Sequence, residues 1–294
     1  MFGGPSGEND PPPRPYVLSE QYIEVNGAKM CYVEKGEGQS LLMIHGLMGG
    51  VYTWEDNLEA LSGKFHVIAI DLPGFGKSQK GDLPYSIVYF KEVIHDFILK
   101  KKLEKPIIVG ISLGGHLGIS YALDHPENVG GLIIVGSTGG GREFTWYEGI
   151  LVDVLWSDFL VGLYTKEENL KRYWDRQFSE ITPKTEKRFL SHPHFRDGTK
   201  AHHDYVHTFS VTLRDVLRDN LKEEYYRVSA PSLILWGKKD YYHHIEDAYL
   251  MDEKMPNSEL KVFPNAGHTI MQEIPDKFNQ TVVDFSEKIA SSKN

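Results

Sequence analysis

Apolar residues are grouped in short runs along the chain, and longer segments of helical periodicity separate these runs. Each run is apolar throughout and ends at or next to Gly, His or Asp, which is typical of a parallel strand covered on both faces. The runs are residues 41–45, 66–71, 106–110, 132–136 and 231–237. Alternation of strands and helices predicts an α/β fold with a doubly wound, mostly parallel sheet and right-handed crossovers.

The intervening segments have recognisable helix faces and ends. Apolar residues recur at helical spacing in 87–98 and again in 278–289. Thr53 is placed to cap a shorter helix that stops at Gly63. Near the start of the chain, two alternating runs flank the pair 26–27, Asn-Gly, which predicts an antiparallel hairpin at the edge of the sheet.

Residues 141–228 interrupt this rhythm, because they contain no convincing strand. Their helical patterns are rich in aromatic residues, and they follow the carboxyl end of a strand, where α/β sheets bind ligands. We therefore predict a helical cap, or lid, over a core formed by residues 16–140 and 229–294, after a disordered lead-in of residues 1–15. The alternative is that these helices only complete the core.

Composition narrows the classes of function. The chain has 294 residues, of which 40% are hydrophobic and 25% charged, as in soluble globular proteins. A formal net charge of −9 argues against nucleic acid as a partner. No apolar run reaches ~18 residues, so we expect no stable membrane insertion. A single cysteine, Cys31, excludes an intrachain disulfide and favours a reducing, cytoplasmic compartment. Oligomeric state is not indicated.

The stretch GISLGGHLGIS, residues 110–120, contains two serines that are candidates for a catalytic nucleophile. Ser112 lies where a strand ends and a helix begins, and Gly110 and Gly114 flank it in the pattern G-x-S-x-G. The sharp turn that exposes such a hydroxyl leaves room only for small neighbours. Ser120 lies two turns inside the helix, so we interpret it as a packed small residue. Ser112 is therefore the candidate nucleophile.

A serine hydroxyl needs a histidine base that a carboxylate orients, and in this arrangement the chain order is Ser, acid, His. Asp240 follows the strand 231–237, and His268 follows the predicted last strand, residues 259–263. Both side chains should emerge at the same sheet edge as Ser112. The backbone N–H of Leu113 and that of Leu47, with Met48 as an alternative to Leu47, are the candidate oxyanion donors.

Several other sequence patterns give weaker evidence for a functional site. The GKS of residues 76–78 lacks the glycine that a P-loop needs at residue 71. His45 precedes Ser112 and is interpreted as structural, and Cys31 has no activating neighbours. His203 and His207 have a zinc-compatible spacing but no third ligand nearby, so solvated histidines are the preferred interpretation. His243 and His244 follow the acid loop and are candidates for the mouth of the pocket.

The segments HGLMGG, DLPGFGKS, GISLGG, WGKKD and NAGHTIMQEIP occur in an order that resembles the α/β-hydrolase superfamily. This resemblance implies an eight-stranded α/β-hydrolase fold with a helical cap, the triad Ser112, Asp240 and His268, and an oxyanion hole at Leu47 and Leu113. Within the superfamily the chain is most similar to serine esterases and lipases. Relatives with an aspartate nucleophile are disfavoured by Ser112. Carbon–carbon bond hydrolases are disfavoured by the HGLMGG loop and by Thr269 after the histidine.

We therefore predict a serine hydrolase that cleaves carboxylic esters through an acyl-enzyme, with no metal or organic cofactor. The expected substrate is a small, apolar ester, with Met48, Trp146 and Trp174 as candidate substrate-binding residues. Alternatives on the same triad are a carbon–carbon bond hydrolase, a lactonase, a thioesterase or a monoacylglycerol lipase. A lyase or a cofactor-free oxygenase on the same scaffold stays open, as does a slow-turnover ligand receptor.

Overall fold

A computed structural model describes residues 15–137, 146–190 and 200–292. Its centre is an eight-stranded sheet in the order β1-β2-β4-β3-β5-β6-β7-β8. The strands are β1 Gln21–Val25, β2 Ala28–Lys35, β3 Ser40–Ile44, β4 His66–Ile70, β5 Ile107–Ile111, β6 Gly131–Val135, β7 Ser232–Gly237 and β8 Ser258–Phe263. β2 runs antiparallel to β1 and to β4, and all other pairs are parallel. The predicted fold class and edge hairpin are confirmed.

Helices follow most of the strands. They are α1 Leu58–Ser62, α2 Ile87–Lys100, α3 Leu113–Asp124, α4 Trp146–Leu155, α5 Asp158–Tyr164, α6 Glu167–Asp175, α7 Pro183–Leu190, α8 Lys200–Arg218, α9 Ile245–Lys254, α10 Ile270–Glu273 and α11 Pro275–Ser291. Short 3-10 turns lie at Val51–Trp54, Pro126–Asn128 and Tyr225–Arg227. None of the helices in the described part of the chain has the length and apolar character that a membrane crossing needs.

The centre of the sheet is covered on both faces, which explains why β3, β5, β6 and β7 are buried along their whole length. Alternate residues of β3 point to opposite sides: Leu42 and Ile44 pack in one buried cluster, and Leu41 and Met43 pack in another. The first cluster includes residues of α2, α3 and α9, and the second includes residues of α1 and α11. Side chains on both faces of the central strands are therefore mostly apolar.

The start of α1 differs from the sequence-based expectation. Thr53 lies within the 3-10 turn Val51–Trp54, and α1 begins only at Leu58. The buried carboxylate of Asp71 accepts a 2.6 Å hydrogen bond from the backbone N–H of Val51, which holds this turn in place. The prediction that Thr53 caps the helix was wrong because a long-range hydrogen bond, invisible in local sequence, sets the chain direction here.

Five helices, α4 to α8, lie between β6 and β7, and we call them the inserted helices. α5 to α8 contribute buried side chains to an apolar cluster that also contains Met48 and Tyr52 from the segment after β3. Trp174 and Phe209 are among its members, with 3% and 8% of their surfaces exposed. The inserted helices are thus packed against the loop that follows β3, directly beside the carboxyl ends of the central strands.

Candidate functional site

Ser112 occupies a strained turn between β5 and α3. Its φ of 52° lies in the left-handed region of backbone conformation, which residues other than glycine rarely adopt. The turn is held by the Ser112 N–H, which donates to the Val135 carbonyl at 2.9 Å, and by the Ser112 carbonyl, which accepts from Ser137 Oγ at 3.0 Å. A Cβ at Gly114 would overlap the Ile44 carbonyl, so the motif needs glycine there. The strain is therefore enforced by neighbours on both sides.

Asp240 and His268 form a buried pair at the ends of β7 and β8. Asp240 Oδ2 lies 2.8 Å from His268 Nδ1, and the two side chains are 1% and 7% exposed. The other carboxylate oxygen, Oδ1, accepts the backbone N–H groups of Tyr242 at 2.8 Å and His243 at 3.1 Å. Gly136, with φ +46°, lets this pair approach β6, because a Cβ there would lie 2.9 Å from Asp240 Oδ2.

Electrostatics favour an ionised carboxylate at this position. Burial alone would raise the pKa of Asp240, but the His268 imidazole and the hydrogen bonds from His268 and the His243 amide hold that pKa below its ordinary value. A charged carboxylate bonded to Nδ1 fixes the imidazole in the tautomer that presents Nε2 as a base.

The side chain of Ser112 is hydrogen-bonded to a histidine other than His268. Its Oγ lies 3.3 Å from Nε2 of His243, and no hydrogen bond joins it to His268 among residues 15–137, 146–190 and 200–292. The two imidazole rings are neighbours, with centroids 5.1 Å apart. Burial, and then the proximity of His268, lower the pKa of His243 to about 3. His243 is therefore a neutral hydrogen-bonding partner of the serine.

Ser112 opens onto a cavity of about 710 Å³. Leu47, Met48 and Leu113 line it beside the serine, so the three candidate oxyanion residues border the same space. Its other walls are mainly apolar or aromatic side chains of the inserted helices, among them Trp156, Val161, Tyr205 and Phe209. This volume and lining suit a small organic ligand. His268 borders a separate space of about 30 Å³ behind Met48.

The two tryptophans predicted to bind substrate have different positions. Trp174 is buried among the inserted helices, donates through Nε1 to the Thr185 carbonyl at 3.0 Å, and borders only the small space beside His268. The backbone of Trp146 begins α4, but its side chain lies outside the described part of the structure. The larger cavity is instead bordered by Trp156.

Residues set aside from the sequence occupy structural positions. Ser120 is 4% exposed within α3, and burial raises the pKa of the Cys31 thiol to about 12. His45 is fully buried, with Nε2 accepting the Leu72 N–H at 3.0 Å. His207 Nδ1 lies 2.7 Å from an Asp158 oxygen. In the described residues, histidine, cysteine and carboxylate side chains form no group of three suited to a metal ion.

Sequence reasoning missed three features of this site. Gly136 allows the Asp240–His268 pair to approach β6 closely, and Arg172 and Arg176 line the cavity. His243 was placed only at the pocket mouth. A signal for His243 existed, because an aspartate that follows a strand often accepts the backbone N–H groups two and three residues later, which curls residue 243 back toward the carboxylate.

Comparison with known proteins decides the family. A model of the alpha/beta hydrolase fold matches residues 39–273. The chain belongs to this family. Within it, the chain is 30% identical to 2-hydroxy-6-oxononadienedioate/2-hydroxy-6-oxononatrienedioate hydrolase 1 of Pseudomonas putida, over 86% of this chain and 90% of that one.

Two further proteins that are similar to this chain have the names of lipid hydrolases. Monoacylglycerol lipase abhd6-B of Xenopus laevis is 25% identical, over 94% of this chain and 85% of that one. The crystal structure of a membrane phospholipase A superposes with a TM-score of 0.77 at 26% identity, covering 93% of this chain and 87% of that one. The chain is thus a hydrolase whose relatives act on more than one substrate class.

Proposed function

We propose that this protein hydrolyses carboxylic esters through an acyl-enzyme on Ser112, with His268 as base and Asp240 as its orienting carboxylate. One observation supports this most: a serine strained into a strand-to-helix turn faces a largely apolar cavity, beside a buried Asp–His pair. Strain of this kind persists only where surrounding structure enforces it, and it is concentrated at functional sites.

The proposed reaction begins with attack of Ser112 Oγ on the ester carbonyl. The Oγ–acyl bond forms as the proton of the hydroxyl passes to His268, and the C–O bond to the alcohol breaks as His268 returns that proton to the leaving oxygen. Backbone N–H groups of Leu47 and Leu113 hold the intermediate oxyanion, at about 3–4 kcal/mol per donor in comparable enzymes. Water then releases the acid by the same route.

His268 is the better base of the two imidazoles for a physical reason. Proton uptake by His268 is supported by a charged carboxylate 2.8 Å from its other nitrogen. The His243 backbone N–H donates to Asp240, but among the described residues its imidazole forms no hydrogen bond or ion pair with a carboxylate, and its pKa of about 3 disfavours the charged form. We therefore assign His243 to hold the Ser112 hydroxyl in the resting site. Rotation about the Ser112 Cα–Cβ bond then redirects Oγ to His268 when substrate binds.

The inserted helices are proposed as the cap, and their side chains as the substrate-selecting wall. They supply most of the cavity wall away from Ser112, including Val161, Tyr205 and Phe209. Burial of an acyl chain against such a wall is worth about 0.8 kcal/mol per methylene. We accordingly expect turnover of esters to rise with acyl length until the cavity is filled.

A second candidate is hydrolysis of a carbon–carbon bond, which the Pseudomonas putida relative favours at 30% identity. The compound in that relative's name bears a ketone and two carboxylates and no ester, so its hydrolysis breaks a bond beside the ketone. The HGLMGG loop and Thr269 disfavour this activity, whereas the 30% identity to the Pseudomonas putida hydrolase favours it.

One experiment separates the candidates. Purified enzyme is assayed with 4-nitrophenyl esters of two to twelve carbons and with a 2-hydroxy-6-oxo-dienoate, whose loss is followed by absorbance. The proposal expects ester turnover of at least ~1 s⁻¹ and slower loss of the dienoate. A dienoate rate well above every ester rate would replace the proposal with the second candidate. Tight ligand binding without turnover of either would indicate a receptor.

A further inference from the structure

Two arginines of one inserted helix, α6, and of its carboxyl-terminal end line the cavity. Arg172 lies in α6, and Arg176 directly follows the last residue of that helix. Residues four apart on a helix lie on the same face, about 5–6 Å apart at Cβ. Both border the cavity that reaches Ser112, and both are exposed to solvent. The cavity therefore meets solvent at a place that presents two guanidinium groups.

These two arginines lack the carboxylate partners that the others have. Every other arginine in the described ranges lies within 4.0 Å of an Asp or Glu oxygen: Arg188, Arg214, Arg218 and Arg227. Among the same residues, Arg172 and Arg176 form no ion pair. The adjacent carboxylate, Asp175, is paired with Lys171 at 2.5 Å. In a chain with 41 acidic and 32 basic residues, an unpaired arginine pair is unexpected.

Aromatic neighbours hold one of these cations at the rim. The Arg176 guanidinium lies 4.6 Å from the centre of the Tyr241 ring. Tyr242, the next residue, lines the cavity, and its ring lies 4.6 Å from that of Tyr173, another cavity residue. Arginine stacked on an aromatic ring keeps its hydrogen-bond donors free at its edge. The rim thus offers donors and positive charge beside an apolar space.

Stabilisation of the α6 carboxyl terminus is the simpler explanation for two basic residues at this end of the helix. That effect needs only a positive charge near the last turn. It does not account for two side chains that both border the cavity, nor for the absence of paired carboxylates around them. The two explanations differ in what substitution does: loss of helix stabilisation changes folding, whereas loss of a binding group changes substrate preference.

We infer that Arg172 and Arg176 form a subsite for the carboxylate or phosphate of an amphiphilic ester whose apolar part lies in the cavity and whose carbonyl reaches Ser112. This inference rests on the proposed function and names its substrate class. Guanidinium groups suit both anions, because each presents two parallel N–H donors to a pair of oxygens. The net charge of −9 repels anions over the surface as a whole, so binding would depend on this local pair.

Matched esters test the subsite. 4-Nitrophenyl octanoate and the mono-4-nitrophenyl ester of suberate have the same acyl length and differ by one terminal carboxylate. The wild type should favour the suberate ester about tenfold in kcat/KM, mainly through KM. Arg172→Gln with Arg176→Gln should remove that preference by lowering kcat/KM for the suberate ester about tenfold, with a much smaller change for the octanoate ester. Arg227→Gln, an exposed and paired arginine outside the cavity lining, is the control. An equal loss on both esters, or a wild-type preference for octanoate, would overturn the inference.

A binding measurement keeps this test separate from the proposed reaction. If neither ester is cleaved, the proposed function fails, and calorimetry on the Ser112→Ala protein still tests the subsite with octyl phosphate, octanoate and octanol. The inference expects both anions to bind at least tenfold more tightly than octanol and to lose that margin in the double arginine variant. Tighter binding of octyl phosphate than octanoate would identify the anion as phosphate, and the reverse order a carboxylate. Octanol binding as tightly as the anions would refute the subsite.

Discussion

The floor and the roof of the cavity are built in different ways. The floor consists of residues at the carboxyl ends of the strands, and neighbouring strands hold its backbone: Ser112 N–H donates to Val135, and Gly136 N–H donates to Leu235 at 3.0 Å. The roof consists of the inserted helices, which leave large apolar side chains in solvent, such as Leu155 at 52% and Phe159 at 74% exposure.

This contrast suggests that the floor determines the rate of the reaction and that the roof determines which substrate is preferred. Catalytic groups must be held within about 0.5 Å of their working positions, which a sheet edge with fixed hydrogen bonds can do. A wall that only excludes water and matches a chain needs apolar surface and volume, and helices supply these with many sequences. We therefore expect floor substitutions to act on kcat and roof substitutions to act on KM and chain-length preference.

The largest effect expected is at the floor. Ser112→Ala should lower kcat by about 10⁴–10⁶, because the covalent route is lost, while leaving the binding of a non-reactive ligand within about twofold. Ser120→Ala is the matched control, since the same dipeptide, Gly-Ile, precedes it and it lies buried within α3. Ester turnover of the two variants is measured side by side. Similar losses in both would remove Ser112 from its proposed role.

Gly136→Ala tests the floor without removing any catalytic group, because the added Cβ should displace the Asp240–His268 pair. The new Cβ would lie 2.9 Å from Asp240 Oδ2 and 3.0 Å from His268 Nδ1, at a φ of +46°. We expect about 1–3 kcal/mol of destabilisation and at least a tenfold fall in kcat, measured by urea unfolding and ester turnover. Gly149→Ala, in α4 with nothing within 4 Å of its Cβ, is the control. It should leave kcat unchanged and raise the free energy of unfolding by up to about 1 kcal/mol, because alanine favours the helix. Wild-type kcat in the Gly136 variant would show that the floor tolerates displacement of the Asp–His pair.

His243, which lies between the floor and the roof, should make the free energy of unfolding decrease at acid pH. In the folded protein the pKa of His243 is about 3, whereas an unfolded histidine has a pKa of about 6.5. Between these values the unfolded state binds more protons, so the free energy of unfolding falls as pH falls, by about 1 kcal/mol from about pH 6 to 5. His243→Phe should lose this part of the dependence, and His244→Phe, at the exposed neighbour, should retain it. Urea unfolding at the two pH values measures the free energy of unfolding. An equal fall between the two pH values in all three proteins would contradict the neutral state of His243.

The smallest effect expected is at the roof. Phe209 is 8% exposed and borders the cavity. Phe209→Leu removes ring volume, so the preferred ester should lengthen by about one or two carbons, with changes in kcat/KM of tenfold or less. Kinetics over the 4-nitrophenyl ester series measure the shift. An unchanged optimum accompanied by a fall in kcat for every ester would place Phe209 with the floor instead.

The sequence predicts the floor far better than the roof, and the reason is physical. β5 and β7 are buried on both faces, so the strand-end positions of Ser112 and Asp240 could be located from the sequence, and His268 lies in the segment after β8. Their catalytic roles stay predictions. The contact between Ser112 and His243 depends on how a loop curls around a carboxylate. Which aromatics of the inserted helices face the cavity depends on helix rotation, so Trp174 and Trp156 could not be told apart beforehand.

The central claim is that His268, and not the histidine nearest to Ser112 in the resting structure, activates the serine. A fluorophosphonate probe reports this directly, because it forms a stable phosphorus–oxygen bond to an activated serine as fluoride leaves. Labelling rates of Ser112 are compared in the wild type, His268→Ala and His243→Ala, with the labelled peptide identified by mass spectrometry. We predict a loss of about 10³-fold or more in His268→Ala and less than tenfold in His243→Ala. Near-normal labelling of His268→Ala together with loss of labelling in His243→Ala would contradict the account.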